Sequence, residues 1–499
     1  MANESPLLHL GLQRLFDTNE PPTGPEQHAL EILLADRRAR AAALASQIGT
    51  LKTLLEKLTD EHTGTNEAID GISRLLAPVR RLPAEVLGEI FLWVLKLYRV
   101  QNGTRAPWFI GQVCRSWRNV AVSLPSLWAK VTVHNDYKNL ADVRRRTHEI
   151  EEQLARSSGA SLSVLIFWST QAESQYTEYS RLVELVVRHC DRWKHFVISS
   201  SSDVERLFAL LEPAKNRLPR LVKAKFQVHW ARQIESDVFM HAPNLSRLLY
   251  MTPNDAVRVP WPQIRRCYLE GYLPNHIAAL STAQNLVILQ LNVDNEEGPA
   301  SVLATLPSLR HLDGNVEGMK SLIAPALETL YVGAAWDLNI VRDLLARSRC
   351  RLRALYIKRD SEAIGGDEDE PAMDMAIMVV EVLRCVPSLE LLLLTTWDWL
   401  GEDEEYEYPR PDVETLFAAM QLTGSATDIV PNLSTFVYAI PEDPFQTETF
   451  LEMARSRAST SIRMPKSWRS CLDVELSANV AWIGGQELRR LRTSNFPSR

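Results

Sequence analysis

Pro243-Asn-Leu-Ser-Arg-Leu-Leu-Tyr250 is one instance of a phrase that returns through the second half of this 499-residue chain. The phrase is an optional proline, then apolar-x-x-apolar-x-apolar. It stands at Trp193/Phe196/Ile198, Leu221/Ala224/Phe226, Leu245/Leu248/Tyr250, Ile264/Cys267/Leu269 and Leu286/Leu289/Leu291. It continues at Leu309/Leu312/Gly314, Leu327/Leu330/Val332, Leu352/Leu355/Ile357, Leu389/Leu392/Leu394 and Leu433/Phe436/Tyr438. The closing apolar-x-apolar has the period of a strand, in which alternate side chains face one side. Between the phrases lie stretches of helical period, such as residues 204–211, 340–346 and 376–385.

A strand, a turn and a helix per unit, repeated in one order, describe a leucine-rich-repeat solenoid over 190–444. The expected fold class is therefore α/β, with a parallel sheet. Two departures are expected to make the repeat irregular. Successive phrases are spaced from 18 residues (Leu309 to Leu327) to 44 residues (Leu389 to Leu433). The asparagine that such repeats place three residues past the last apolar position is missing; Pro253, Asp294, Glu317, Ala335, Asp360 and Pro441 stand there instead. Residues 135–189 read as a bridging helix (138–157) and a first strand (162–168), and 445–499 as a cap over the open sheet edge.

Upstream, Pro78-Val-Arg-Arg-Leu-Pro-Ala-Glu-Val-Leu-Gly-Glu-Ile-Phe91 reads as a helix with Pro83 at its first position and Glu85 in its first turn. Val86, Leu87, Ile90, Phe91, Val94 and Leu95 form a broad apolar stripe. Asn102-Gly103 breaks the chain, and Ile110, Val113, Cys114, Trp117, Val120 and Ala121 share one side of a second helix. Leu124-Pro-Ser-Leu-Trp128 closes a module (72–134) too small to hide all its apolar surface.

This segment resembles the F-box, in the variant abundant in mushroom-forming fungi. The matching residues are Leu82, Pro83, Glu85, Leu87, Ile90, Phe91, Pro107, Trp108, Val113, Cys114, Arg115, Trp117, Arg118, Leu124, Pro125, Leu127 and Trp128. The match covers about a tenth of the chain. The resemblance implies a three-helix module that docks on a Skp-family adaptor and, through it, a cullin. Leu82, Pro83, Val86, Leu87, Ile90 and Phe91, helped by Val113, Trp117 and Trp128, would supply the docking face and the module's own core. The sequence does not divide the two roles. The implied function is a non-catalytic substrate adaptor of a ubiquitin ligase, cytoplasmic or nuclear, with the repeats presenting an unknown protein substrate.

After a flexible 1–25, residues 26–71 read as a long amphipathic helix or coiled coil, of which 26–63 is the most regular segment of the chain. Leu30, Leu34, Arg37, Ala41, Leu44, Ile48, Leu51, Leu55 and Leu58 alternate at spacings of four and three among good helix formers. Pro21, Pro22 and Pro25 mark the expected start, Gly64 and Gly71 the expected end. Two readings are open: a coiled coil through 26–63 that makes a homodimer by way of Leu30, Leu34, Leu44, Ile48, Leu51, Leu55 and Leu58, or an amphipathic helix folded back on the chain. The first supports an alternative function, a scaffold or oligomerisation protein with the F-box as a structural joint.

The formal net charge of −7 argues against a general polyanion binder, so no nucleic-acid partner is expected. No stretch reaches 18 uninterrupted apolar residues and no secretory signal opens the chain, so no membrane partner is expected either. Six cysteines without a CxxC pair suggest buried thiols in a reducing compartment. Cys114 reads as a small core residue. Scattered histidines, no metal-ligand spacing, no phosphate loop and no nucleophile elbow give no catalytic, cofactor or metal site. Two acid-rich insertions follow consecutive repeats: 362–374, with Asp367, Glu368, Asp369 and Glu370, and 402–412, with Glu402, Asp403, Glu404 and Glu405. With Trp397 and Trp399 they are a candidate face for a basic partner, against the plainer reading of solvated loops.

Overall fold

The computed structural model describes residues 15, 18, 20–98, 106–134, 140–169, 173–200, 204–228, 236–252, 257–271, 276–293, 303–333, 337–360, 375–397, 413–439, 447–457, 461–464 and 480–482. The chain divides into two compact units, Met1–Leu87 and Gly88–Arg499, at a point inside the helix Ala84–Tyr98.

The first unit is dominated by the helix Gly24–Leu76, 53 residues long and about 80 Å from end to end at ~1.5 Å per residue. Glu26 closes its start: the carboxylate accepts from the Thr23 backbone N–H at 2.8 Å and from the Thr23 hydroxyl at 2.7 Å. Pro25 lies in the first turn, where its missing N–H is no loss. Gly64 and Gly71, expected to end the helix, lie within it. Each costs only about 1 kcal/mol against alanine, and each keeps the backbone N–H and C=O that the helical ladder needs. The stop is Pro78, which pushes Ala77 (φ −51, ψ 128) out of the helical region. No residue of this helix is buried. A short 3-10 turn, Pro78–Arg81, follows.

The second unit is an α/β assembly on a 14-stranded parallel sheet. Its first strands are β1 (Lys130–His134), β2 (Leu162–Trp168), β3 (Trp193–Ser200), β4 (Lys223–Val228), β5 (Arg247–Met251), β6 (Arg266–Gly271) and β7 (Ile288–Val293). A two-residue β8 (Ala304–Thr305) precedes β9 (His311–Asn315), and β10 (Leu322–Ile323), which pairs β8, precedes β11 (Thr329–Gly333). The sheet ends with β12 (Ala354–Asp360), β13 (Leu391–Trp397), β14 (Thr435–Ala439), β15 (Ser461–Met464) and β16 (Val480–Trp482). Apart from the β8/β10 pair, every strand lies beside its sequence neighbour.

The recurring phrase sets the register. One ladder of Cα partners passes through Val131, Val164, Phe196, Ala224, Leu248, Cys267, Leu289, Leu312, Leu330, Leu355, Leu392 and Phe436. Two residues on, a second passes from Val133 through Ile198, Tyr250, Leu291 and Gly314 to Leu394. All twelve residues of the first ladder are buried in one continuous core with the helices Val204–Leu211, Leu338–Ser348 and Met375–Arg384. The opposite face is not uniformly polar: Tyr331, Ala354, Tyr356, Leu393 and Val437 form a second buried cluster there.

Several expectations change. The sheet starts at β1, inside the segment assigned to the preceding module, because Val131 and Val133 are apolar at strand period and pair β2. The tail does not only cap the edge: β15 and β16 continue the sheet in parallel. Asparagines one residue ahead of three phrases tie neighbouring units together. Asn244 donates to the Pro219 carbonyl (2.6 Å), Asn285 to Pro262 (2.8 Å) and Asn432 to Pro387 (3.1 Å), each reaching back to the preceding unit. Ser388 makes the same link to Leu352 at 2.8 Å.

Candidate functional site

The segment 88–128 packs around a few large side chains. On the helix Ala84–Tyr98, Leu87 and Phe91 are buried one turn apart. Phe91 lies against Trp117 of the helix Arg115–Val122, with ring centroids 5.0 Å apart. Trp128, 2% exposed, donates its indole N–H to the Ala121 carbonyl at 2.7 Å and meets Trp108 edge-on at 5.0 Å. The guanidinium of Arg156, from the helix Leu140–Arg156, stands 4.6 Å from the Trp128 ring and 4.8 Å from the Trp108 ring. Arg118 fastens the turn before its helix by donating to the Gly111 carbonyl at 2.9 Å.

This packing divides the nine residues that the sequence left undivided. Leu87, Phe91 and Trp128 are interior, Trp117 is half-buried, and Leu82 is half-buried just ahead of the helix. Pro83, Val86, Ile90 and Val113 are exposed, the last three by 43%, 38% and 60%. Pro83 stands one place before its expected position: its carbonyl accepts the first helical bond, from the Leu87 N–H at 3.0 Å. Cys114 is not a core residue. It is exposed, and its sulfur accepts the Trp117 N–H at the start of the helix.

The residue missed in the sequence is Trp93, 60% exposed. It lies seven residues after Val86 and three after Ile90, so Val86, Ile90 and Trp93 share one solvent-facing stripe of the helix. The signal was present as an i, i+4, i+7 pattern, hidden beneath the stronger buried stripe of Leu87 and Phe91.

The other candidates are placed as follows. Leu30 is half-buried; Leu34, Leu44, Ile48, Leu51, Leu55 and Leu58 are exposed on the long helix, as are Ile69, Ile72 and Leu76 beyond them. The insertions carrying Asp367, Glu368, Asp369, Glu370, Glu402, Asp403, Glu404 and Glu405 lie outside the described residues, as does Trp399; of Trp397 only its backbone place at the end of β13 is described.

Among the described residues no three or more His, Cys, Asp or Glu side chains are grouped to hold a metal ion, and no helix is long and apolar enough to cross a membrane. Burial pushes the Cys190, Cys267 and Cys350 thiols upward, away from the nucleophilic thiolate. No protein-family model matches the chain, and no curated protein matches it.

Proposed function

We propose that the chain is a substrate adaptor of a Skp–cullin–F-box ubiquitin ligase. The observation that carries this reading is the surplus of apolar side chains on a module whose core is already filled. Phe91, Trp117 and Trp128 do the internal packing and Leu87 is buried, while Val86, Ile90, Trp93 and Val113 face solvent. Apolar side chains spaced at i, i+4 and i+7 on an exposed helix suit a helical, apolar partner such as the Skp-family adaptor. The parallel strands in unbroken sequence order support reading residues 190–444 as a leucine-rich-repeat-like solenoid that presents a protein substrate. The chain's contribution is placement: it raises the effective concentration of a substrate lysine near the charged ubiquitin carrier.

The test is co-purification of the full-length chain with a fungal Skp-family adaptor. Ile90→Asp and Trp93→Asp, at exposed positions, should each weaken the complex by about 30-fold or more, in the range of a buried interface anchor, without moving the melting temperature. Failure of the wild-type chain to bind would sink the reading.

A second reading, self-association through the long helix, is favoured by its exposed seam. The four–three alternation runs from Leu30 through Leu58 and on through Ile69 and Ile72 to Leu76, with Arg37, Ala41, His62 and Thr65 as its weaker positions. A seven-residue repeat held this long specifies a left-handed supercoil. A parallel, in-register pair would set Arg37 against its own copy. An antiparallel pair centred between Ile48 and Leu51 sets Ala41 against Leu58 and brings Arg37, Arg38 and Arg40 beside Asp60 and Glu61. Leu51→Asp with Leu55→Asp should convert the dimer to monomer in light scattering. In a C114S/C385S/C471S background, Leu44→Cys should cross-link to Leu55→Cys on the other copy but not to itself. A monomeric wild type would remove this reading.

A further inference from the structure

The face of the sheet opposite the main core carries an open cleft of about 210 Å³ across β4–β7. Lys223, Arg247 and Arg266 are Cα partners on three successive strands, and Lys225 stands two residues after Lys223. Adjacent strands are about 4.8 Å apart, so three like charges sit side by side across about 10 Å. Like charges directly opposite on neighbouring strands oppose pairing. On the preceding strand the partner of Lys223 is His195, which adds no carboxylate.

Several other basic side chains of the sheet region are paired with carboxylates. Arg310 meets Glu328 at 3.0 Å, Arg353 holds Glu390 with two bonds of 3.0 Å, and Lys215 meets Asp237 at 2.8 Å. Among the described residues Lys223, Lys225, Arg247 and Arg266 make no such pair. Among the described residues two carboxylates on the same face nearby accept bonds from neutral groups: Glu270 from the Tyr268 hydroxyl and Asp313 from the Gln290 amide, both at 2.7 Å. Lys223 is half-buried, and that burial, followed by the charges of Arg247 and Lys225, lowers its pKa from the ordinary lysine value. Between the cations the floor is apolar, formed by Leu249, Ile288 and the Tyr268 ring.

We propose that this cleft binds an acidic, extended segment of a protein partner, with carboxylates or phosphates against Lys223, Arg247 and Arg266 and an apolar side chain on Leu249 and Tyr268. A chain of about 3.3 Å per residue crosses the three strands in three or four residues and so sets several anionic groups against the cations at once. A nucleic acid is a poorer fit, since the patch ends at Glu270 and Asp313 and the chain as a whole is acidic. Calling the segment part of a ligase substrate rests on the function proposed above; the binding itself does not.

The test uses fluorescence anisotropy of the full-length chain with three labelled probes: a decapeptide of alternating Glu-Glu and Leu, the same peptide with phosphoserine for glutamate, and a ten-nucleotide oligothymidylate. Binding of a peptide, weakened about tenfold or more by Arg247→Glu but not by the charge-matched Arg265→Glu, is the expected result; the stronger of the two peptides identifies carboxylate or phosphate. Equal effects of the two substitutions, tighter binding of the oligonucleotide, or no peptide binding would each overturn the proposal. Adaptor binding is measured on the same Arg247→Glu protein. Its retention while peptide binding is lost separates the fate of this cleft from that of the docking helix.

Discussion

Gly314→Ala should destabilise the second unit by about 3 kcal/mol, at the upper end of what overpacking a filled core costs. Gly314 occupies the second inward ladder, between Leu291 on β7 and Val332 on β11, where the other strands carry large apolar side chains. A Cβ built there would stand 2.9 Å from the Leu291 carbonyl oxygen and 3.0 Å from the Leu291 Cβ. The first of these is backbone, so no side-chain rotation relieves it. The reason for the close approach is the turn that follows. The helix Val316–Met319 begins directly after β9, and Gly318 brings it down onto Leu291 and Val293, with a Cβ there meeting them at 3.0 and 3.1 Å. Gly88→Ala is the comparison. That glycine is also buried, but its nearest neighbour is the Leu124 side chain at 3.6 Å, ordinary contact. Since alanine is the better helix former by about 1 kcal/mol, Gly88→Ala should be neutral or slightly stabilising. Chemical denaturation of both variants decides the point, and equal midpoints would refute this account of Gly314.

The strand ladder was legible in the sequence because it is a periodic signal: each apolar-x-apolar pair had to face one core, and ten phrases fixed the register of ten strands. Gly314 could be seen as the odd member of that series, but not explained, since the reason is the distance to Leu291 rather than any local preference. β1 was hidden because Lys130–His134 carries only two inward apolar residues and no leading phrase. The long helix runs past Gly64 and Gly71 because they only cost propensity, and it ends before Pro78, which disfavours the helical conformation of the residue before it. On the helix Ala84–Tyr98 the sequence could name the apolar residues but not partition them. Leu87 and Ile90 are both large and apolar, and only packing shows one 3% and the other 38% exposed. The basic cleft was invisible for a related reason: Lys223, Arg247 and Arg266 are 24 and 19 residues apart in the chain and meet only through the ladder.

Arginine was the least legible residue type, and it carries the second large effect. Arg457 follows the helix Thr447–Ser456 and is 2% exposed. Its Nε donates to the Met420 carbonyl at 2.7 Å, one terminal nitrogen to Val430 at 3.0 Å and the other to Ile429 at 2.9 Å. Burial lowers its pKa from the ordinary arginine value, with Asp428 opposing. Val430 has a φ of +42, a conformation that a β-branched residue enters only under constraint. The guanidinium thus holds the turn that leads into β14. Arg192 and Arg347 act alike: Arg192 donates to Ala160 at 3.1 Å, and Arg347 to Leu322 at 2.6 Å and to Met319. Arg457→Ala takes the guanidinium donor from the Met420 and Ile429 carbonyls, while the Val430 carbonyl keeps the Leu433 N–H at 3.1 Å; each unsatisfied group costs about 1–3 kcal/mol, and a loss of about 4 kcal/mol is expected. Lysine should recover little of it, because one ammonium on a flexible stem cannot reproduce the planar fork. Hydrogen exchange should report the damage locally, as accelerated exchange at Met420, Val430 and the β14 amides, with β3–β7 unchanged. Full recovery by Arg457→Lys, or exchange that rises evenly across the sheet, would show that charge or global stability, rather than the three-carbonyl clamp, is what Arg457 provides.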